Sequence, residues 1–178
     1  MYVTGIHEVL WGSLLVAVTL SLHGFGMVFT LRVYGAFKER LEQSQSIMLG
    51  IGSIIVGSWM IILVHLIEVF VWAGFFLWQG AVNSGTSSPA NASLSYYFSL
   101  CEYTCLGSDY NLVLRWRLLE GMIAIAGLLT FAWSTGVLLT MAQDFQDQRL
   151  RIIKERRVKT HPKSQAPSVH SQGDPKLS

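Results

Sequence analysis

Three long apolar runs, separated by shorter polar stretches, dominate the pattern of this chain. Val9 to Leu31 contains no Asp, Glu, Lys or Arg, and as a helix it rises about 34 Å, enough to cross the ~30 Å hydrocarbon core of a bilayer. Ile47 to Val82 is longer and contains no Pro, so one long tilted helix explains it more simply than two. Leu118 to Met141 is again of spanning length. The pattern therefore predicts an all-α membrane protein with three transmembrane helices.

A short amphipathic segment, Ala92 to Tyr103, lies between the second and third apolar runs. Polar, turn-rich sequence flanks it on both sides, with NSGTSSPAN over residues 83–91 and TCLGSDYN over residues 104–111. The segment is too short to cross a bilayer, so we predict that it enters the membrane from the outer side and returns. Irregular backbone at membrane depth is tolerated only where it is buried in protein or lines a water-filled cavity. A pore is the commonest reason for such a segment.

Basic residues set the predicted orientation. Residues 32–45 contain three of them, and the chain after Asp144 contains eight. The positive-inside rule assigns both stretches to the cytoplasm and the N-terminus to the outside, which fits three crossings but not four. We therefore expect a multi-pass protein of the cell membrane whose basic tail contacts anionic lipids.

Composition agrees with this prediction. Hydrophobic residues make up 51% of the chain and charged residues only 13%, and the mean hydropathy is +0.42. Soluble domains carry about 25% charged residues. The net charge of +2 comes almost entirely from the tail, so it is no indication of nucleic-acid binding, and we expect no nucleic-acid partner. Cys101 and Cys105 form neither a disulfide framework nor a CxxC motif, and we expect both to be buried small residues.

The chain has, in order, a long helix, a polar turret, a short helix, a Gly-containing loop and another long helix. The motifs within these elements are HGFG (His23 to Gly26), HLIEVFVWA (His65 to Ala73), YYFSLCEYTCLG (Tyr96 to Gly107), WRLLEG (Trp116 to Gly121) and GLLTFAWST (Gly127 to Thr135). From about Leu10 to Met141 the chain thereby resembles the pore module of the potassium-channel superfamily. It is similar to the small bacterial two-transmembrane-type ion-channel domain proteins that carry one extra N-terminal helix.

The resemblance implies three parts. These are an N-terminal helix and cytoplasmic connector over residues 1–45, a pore module over residues 46–143, and a basic cytoplasmic tail over residues 144–178. The composition of the tail predicts a charged helical extension over Gln146 to Lys159 and disorder from His161 onward, where three of the chain's four prolines lie. The resemblance also implies a bacterial inner-membrane protein in which the short segment is the pore helix. The implied selectivity filter comprises Thr104, Cys105, Leu106, Gly107, Ser108 and Asp109. Bound K⁺ or Na⁺ is expected only there, and no other cofactor or metal is expected.

The implied filter departs from the family pattern YFSxxTxTTLGYGD. Cys105 removes a hydroxyl ligand, and Ser108 removes the aromatic ring that braces the filter against the pore helix. Asp109 replaces a Gly whose backbone needs an unusual φ. Selectivity for potassium therefore does not carry over. Four Asp109 carboxylates could instead form a ring, as in less selective cation pores.

The expected function is a homotetrameric cation channel that conducts monovalent cations passively, because one chain cannot enclose a filter. No nucleophile, phosphate loop or metal triad appears in the sequence, so an enzyme is not expected. Two alternatives stay open. One is a membrane haem or redox protein that uses His23 and His65, since neutral imidazoles bind haem iron. The other is an accessory membrane subunit that does not conduct.

Two residues of the predicted pore helix, Glu102 and Tyr103, are expected to support the filter. Glu102 either attracts cations or braces the filter by a hydrogen bond, and the alternative is an ion pair with Arg115 or Arg117 in the outer vestibule. Glu120, about one turn inside the last span, is expected to pair with either arginine or with the end of the pore helix. We expect its role to be structural rather than in permeation.

Three further ionisable residues lie inside predicted spans, where such groups are costly and usually face protein or water. His65 and Glu68 are three residues apart and share a helix face. With His23 they could form a proton relay or a metal site. The structural alternative, which we favour, is an interhelical hydrogen bond that orients the first two helices.

Gly127 lies near the middle of the last span. In the resembled family this helix lines the inner pore, and a Gly there can act as a gating hinge. Alternatively, a small residue at this point permits close helix packing.

Overall fold

The computed structural model describes residues 5–44, 47–83 and 91–160, which form long helices with one short two-stranded sheet. The elements in order are α1 (Ile6–Ser44), α2 (Ile47–Gln79), β1 (Val82–Asn83), α3 (Ala92–Tyr103), β2 (Asn111–Leu112), a 3-10 turn (Leu114–Trp116) and α4 (Leu118–Thr160). The prediction that 83–91 is a polar loop and that the tail is disordered from His161 concerns residues 84–90 and 161–178, which lie outside the described residues.

Three helical stretches are long and apolar enough to cross a membrane: Ile6–Arg40, Gly50–Gln79 and Leu114–Glu155. The predicted number of spanning helices is therefore confirmed by length and composition, and they make this a multi-pass membrane protein. The apolar run that begins at Ile47 forms one helix, as predicted, and α3 has the predicted bounds.

Two helices extend far beyond the apolar runs. α1 continues through the charged connector to Ser44, and α4 continues past Met141 to Thr160. The helical extension that we predicted over Gln146 to Lys159 is confirmed. The connector was predicted only as a charged link, but its Lys, Arg, Glu and Gln residues are strong helix formers, so nothing in the sequence ends the helix there.

Contacts at both ends show that α1 and α4 run parallel. At one end, Leu118 N donates a hydrogen bond to Glu8 Oε1 at 2.5 Å, so a carboxylate of α1 caps the first residue of α4. At the other end, Lys38 Nζ lies 3.1 Å from Asp144 Oδ2. The end of the bundle where α2 finishes and α4 begins is called the hairpin end below.

α2 runs antiparallel to α1. Trp72 Nε1 donates to Thr19 Oγ1 at 3.0 Å, and Glu68 meets His23 one turn further along, so positions rise on one helix as they fall on the other. The hydrophobic core lies toward the hairpin end, where α3 packs between α2 and α4. It is built largely from aromatic side chains, including Trp72, Phe76, Phe98 and Trp116.

The short sheet closes the hairpin end and was not predicted. β1 and β2 are antiparallel, with Val82 opposite Leu112 and Asn83 opposite Asn111. Val113 N also donates to Ala81 O at 2.8 Å. The segment that follows α2 and the segment that precedes α4 are thus hydrogen-bonded side by side, and α3 lies between them in the sequence.

Candidate functional site

The short helix α3 begins with a side-chain cap and ends deep in the bundle. Asn91 Oδ1 accepts a hydrogen bond from Leu94 N at 2.7 Å, which satisfies one of the free N–H groups of the first turn. At the other end, the Tyr103 carbonyl packs against Gly127 of α4 so closely that an added Cβ would lie 2.0 Å from its oxygen. Gly127 is nine residues into α4, or about 13 Å from its start. α3 therefore descends from the hairpin end to near the middle of the apolar run of α4, Leu118 to Met141.

Residues 104–110, here called the return segment, carry the chain back to β2. The helix ends in a Schellman motif, because Leu106 N donates to Cys101 O at 2.9 Å and Cys105 N donates to Glu102 O at 3.0 Å. The motif needs a residue in the left-handed conformation after the cap, and Cys105 adopts this conformation with a φ of 57°. Gly107 follows with φ of 76°. A non-glycine residue in this conformation is strained.

The six residues predicted as a filter lie together on this turn. Thr104, Cys105, Gly107 and Asp109 are exposed, and Leu106 is 79% exposed. The prediction that they form a selectivity filter stays a prediction. The expectation that both cysteines are buried is wrong for Cys105, because the left-handed turn points its side chain outward, whereas Cys101 is 4% exposed on α3.

Glu102 and Glu120 hold the return segment and β2 by hydrogen bonds. Glu102 Oε1 accepts from Ser108 N at 3.1 Å, which matches the brace among the predicted alternatives. Burial, and then the charge of Glu120, raise the pKa of the Glu102 carboxyl. Glu120 Oε1 accepts from Leu112 N at 2.8 Å, so it ties the first turn of α4 to β2 instead of pairing as predicted.

Below this turn lies a set of six polar side chains, here called the polar cluster. Its members come from all four helices and are each at most 8% exposed: His23, His65, Glu68, Tyr103, Thr130 and Ser134. Among the residues that the structure describes, His23, His65 and Glu68 also form the one group of three or more potential metal ligands.

Glu68 is the acceptor on one side of the polar cluster. His23 Nδ1 lies 2.9 Å from Glu68 Oε1, and Tyr103 donates its hydroxyl to Glu68 Oε2. His65 Nδ1 lies 3.0 Å from the same Tyr103 oxygen and 3.4 Å from Glu68 Oε2. The predicted interhelical hydrogen bond between the first two helices is therefore present.

Ser134 lies on the side of the polar cluster opposite Glu68 and contacts both histidines. Its Oγ lies 3.0 Å from His65 Nε2 and 3.3 Å from His23 Nε2, so one hydroxyl meets the second nitrogen of both imidazoles. Thr130 Oγ1 lies 2.5 Å from the Tyr103 oxygen. The two histidines and the glutamate were predicted from the sequence. Thr130 and Ser134 were not, although their i,i+4 spacing in an apolar helix was a usable signal.

Gly127 allows the chain to bring these groups together. Because the Tyr103 carbonyl lies against it, the phenol reaches Glu68 of α2 and Thr130 of α4. The close-packing alternative is thus present in the structure, and the gating hinge stays a prediction. Comparison with protein-family models, with curated proteins and with solved structures found no match.

Proposed function

We propose that this chain is one subunit of a homotetrameric, potassium-channel-like cation channel whose pore is lined by Thr104 to Asp109. The observation that carries this proposal is the exposed, irregular return segment, which begins beside Gly127, about 13 Å from the start of α4 and near the middle of its apolar run. Backbone of this kind is not tolerated against lipid. It has to face either water or other protein, and a water-filled axis shared by several chains provides both.

The membrane placement rests on charge. Residues 32–44 and the end of α4 are basic and lie at the same end of the bundle, as the Lys38–Asp144 ion pair indicates. The positive-inside rule assigns that end to the cytoplasm. The hairpin end then faces outward, and α3 enters the bilayer from outside as a re-entrant pore helix.

The charges around the return segment favour cations. Residues 91–112 contain two acidic side chains, Glu102 and Asp109, and no Lys or Arg. The C-terminal end of α3 adds the partial negative charge of the helix dipole. Four such ends and four exposed Asp109 carboxylates around one axis would attract monovalent cations. The weakened filter pattern supports conduction without strong potassium selectivity.

The buried histidines give less support to a haem protein. The ring centroids of His23 and His65 are 5.2 Å apart, and both rings contact the same Ser134 hydroxyl. A bis-histidine haem needs its iron and ring system between the two imidazoles. These two side chains are instead engaged with each other and with Glu68.

The two natural cysteines provide a sharp test. We expect purified protein in planar bilayers to conduct cations, and a cationic methanethiosulfonate reagent added from the outer side to block the current by modifying Cys105. The Cys105→Ser variant should conduct without being blocked. Cys101→Ser is the matched control and should be blocked like the unaltered protein, because Cys101 is buried.

Two further measurements define the outcome. Light scattering of the protein in detergent should give four chains per particle, and Asp109→Asn should lower the conductance. A current that the reagent blocks equally in Cys105→Ser would remove the return segment from the pore. A monomer or dimer without conductance would favour the accessory-subunit alternative.

A further inference from the structure

We propose that the polar cluster is a binding site for a divalent transition-metal ion, with Zn²⁺ as the first candidate. His23 Nδ1, His65 Nδ1 and a Glu68 oxygen are the ligands, and the Tyr103 oxygen is the fourth donor. This inference goes beyond the channel proposal and does not depend on it.

The ligand atoms already converge. One atom from each of His23, His65 and Glu68 lies within 4.8 Å of the others. His23 Nδ1 lies 2.9 Å from Glu68 Oε1, and His65 Nδ1 lies 3.4 Å from Glu68 Oε2 and 3.0 Å from the Tyr103 oxygen. In a tetrahedral site with Zn–N and Zn–O bonds of about 2.0–2.1 Å, neighbouring ligand atoms lie about 3.3 Å apart. Small movements of the side chains would therefore open the site around a metal.

The outer hydrogen bonds have the form that metal-bound histidines need. A ligating imidazole usually donates its other N–H to an oxygen, which fixes the tautomer and aims the lone pair at the metal. Here both Nε2 atoms meet Ser134 Oγ, at 3.0 and 3.3 Å. A hydroxyl oxygen has two lone pairs and can accept from both. Both Nδ1 lone pairs then face the Glu68 side of the cluster.

A count of protons shows that the polar cluster has one donor proton fewer than it has hydrogen-bonding contacts. The contacts His23–Glu68–Tyr103–His65–Ser134 close into a ring of five links. With neutral imidazoles and an ionised Glu68, these groups supply only four protons, so one link would place two acceptors face to face. A buried carboxylate in an apolar span also needs a counter-charge. A bound cation satisfies both requirements.

The convergence of ligands favours a metal over an added proton. A proton would complete the ring through successive pairs and would not require two imidazoles and a carboxylate to point at one place. Two imidazoles with one carboxylate suit zinc, iron, nickel or copper, and they disfavour Mg²⁺ and Ca²⁺, which prefer oxygen ligands only. Bound there, the ion would link α1, α2 and the end of α3, and would fix the depth at which the return segment begins.

The proposal is tested by measuring metal binding to the full-length chain, expressed without a histidine tag. The other three histidines, His7, His161 and His170, are changed to Gln so that His23 and His65 are the remaining imidazoles. Co²⁺ or Zn²⁺ is supplied during expression because the cluster is buried. We expect one ion per chain by elemental analysis, and visible d–d absorption of tetrahedral Co²⁺ that Zn²⁺ abolishes.

Ligand variants decide the assignment. In the same background, His23→Gln should lower metal affinity by at least about 100-fold, since loss of an outer hydrogen-bond partner alone typically costs 10–100-fold. Ser134→Ala should therefore weaken binding by about 10–100-fold. The background protein is the control in which both ligand histidines are retained.

Two results would overturn the proposal. One is that the protein with His7, His161 and His170 changed to Gln takes up no Co²⁺ or Zn²⁺. Nitrogen NMR signals of a doubly protonated imidazole in that protein would then show that a proton, and not a metal ion, completes the polar cluster. The other is equal uptake by His23→Gln. Neither readout uses conduction, so failure of the metal site is distinguishable from failure of the channel proposal.

Discussion

Gly127→Ala tests the contact that sets the depth of α3. The added Cβ would lie 2.0 Å from Tyr103 O and 2.9 Å from Tyr103 C. Ordinary contacts begin at 3.4 Å, so the two helices would have to separate by about 1.4 Å. Both partners are backbone atoms, so no side chain can rotate away. Overpacking of this kind costs about 1–3 kcal/mol of the free energy of unfolding. At ~2 kcal/mol, a chain of this length should lose roughly 4–8 °C in Tm.

Thermal unfolding in detergent, followed by circular dichroism, measures this shift. Gly136→Ala is the matched control, because it lies in the same helix and its added Cβ meets nothing within 4 Å. Helix propensity favours Ala over Gly by up to ~1 kcal/mol, so the control should unfold at the same or a higher temperature. If Gly127→Ala and Gly136→Ala unfold at the same temperature, the close approach of α3 to α4 is wrong, and so is the depth of the return segment.

Three further predictions use the same assay. Glu8→Ala should lower the free energy of unfolding by about 1–2 kcal/mol, because Leu118 N loses its buried acceptor. Cys105→Gly should raise it by about 1 kcal/mol, because Gly takes the left-handed conformation without strain. Glu102→Gln should remove a pH dependence. A raised folded-state pKa contributes stability that is present at low pH and is lost as the pH rises through it. The Tm of the unaltered protein should therefore increase relative to that of the variant as the pH falls from neutral toward the ordinary pKa of a Glu side chain.

Each of these has its own control. Glu39→Ala removes an exposed carboxylate from α1 and should leave Tm unchanged, so an equal loss would assign the Glu8 effect to charge alone. Cys101→Gly places Gly inside α3 and should destabilise, so a gain there would contradict the conformational argument. Parallel Tm curves for the unaltered protein and Glu102→Gln would show that this carboxyl titrates equally in the folded and unfolded chains.

Much of the site was predictable in its parts but not in its arrangement. His23, His65 and Glu68 stand out in the sequence because ionisable residues are costly in a membrane span. Tyr103 was predicted to support the filter, yet nothing in its local sequence directs its hydroxyl to Glu68, 35 positions away. Ser134 and Thr130 are ordinary helix residues until α1, α2 and α3 are packed against them.

The return segment was likewise predictable in its composition but not in its arrangement. Its polar, Gly-containing sequence predicts an irregular turn, but the two cysteines four residues apart have opposite environments. The difference arises because Cys105 is the left-handed residue of the Schellman motif, whereas Cys101 still lies on the packed face of α3. Glu120 was assigned arginine or pore-helix partners, and instead it accepts from a strand that no sequence pattern predicted.

The sequence by itself determined three spanning helices, the bounds of α3 and the basic end of the bundle, because run length, hydropathy and charge act locally along the chain. Only the tertiary structure decided that α3 ends against Gly127, that β1 pairs with β2, and that six polar groups from four helices meet. Those outcomes depend on which helix faces lie opposite one another, and local preferences along one chain do not fix that choice.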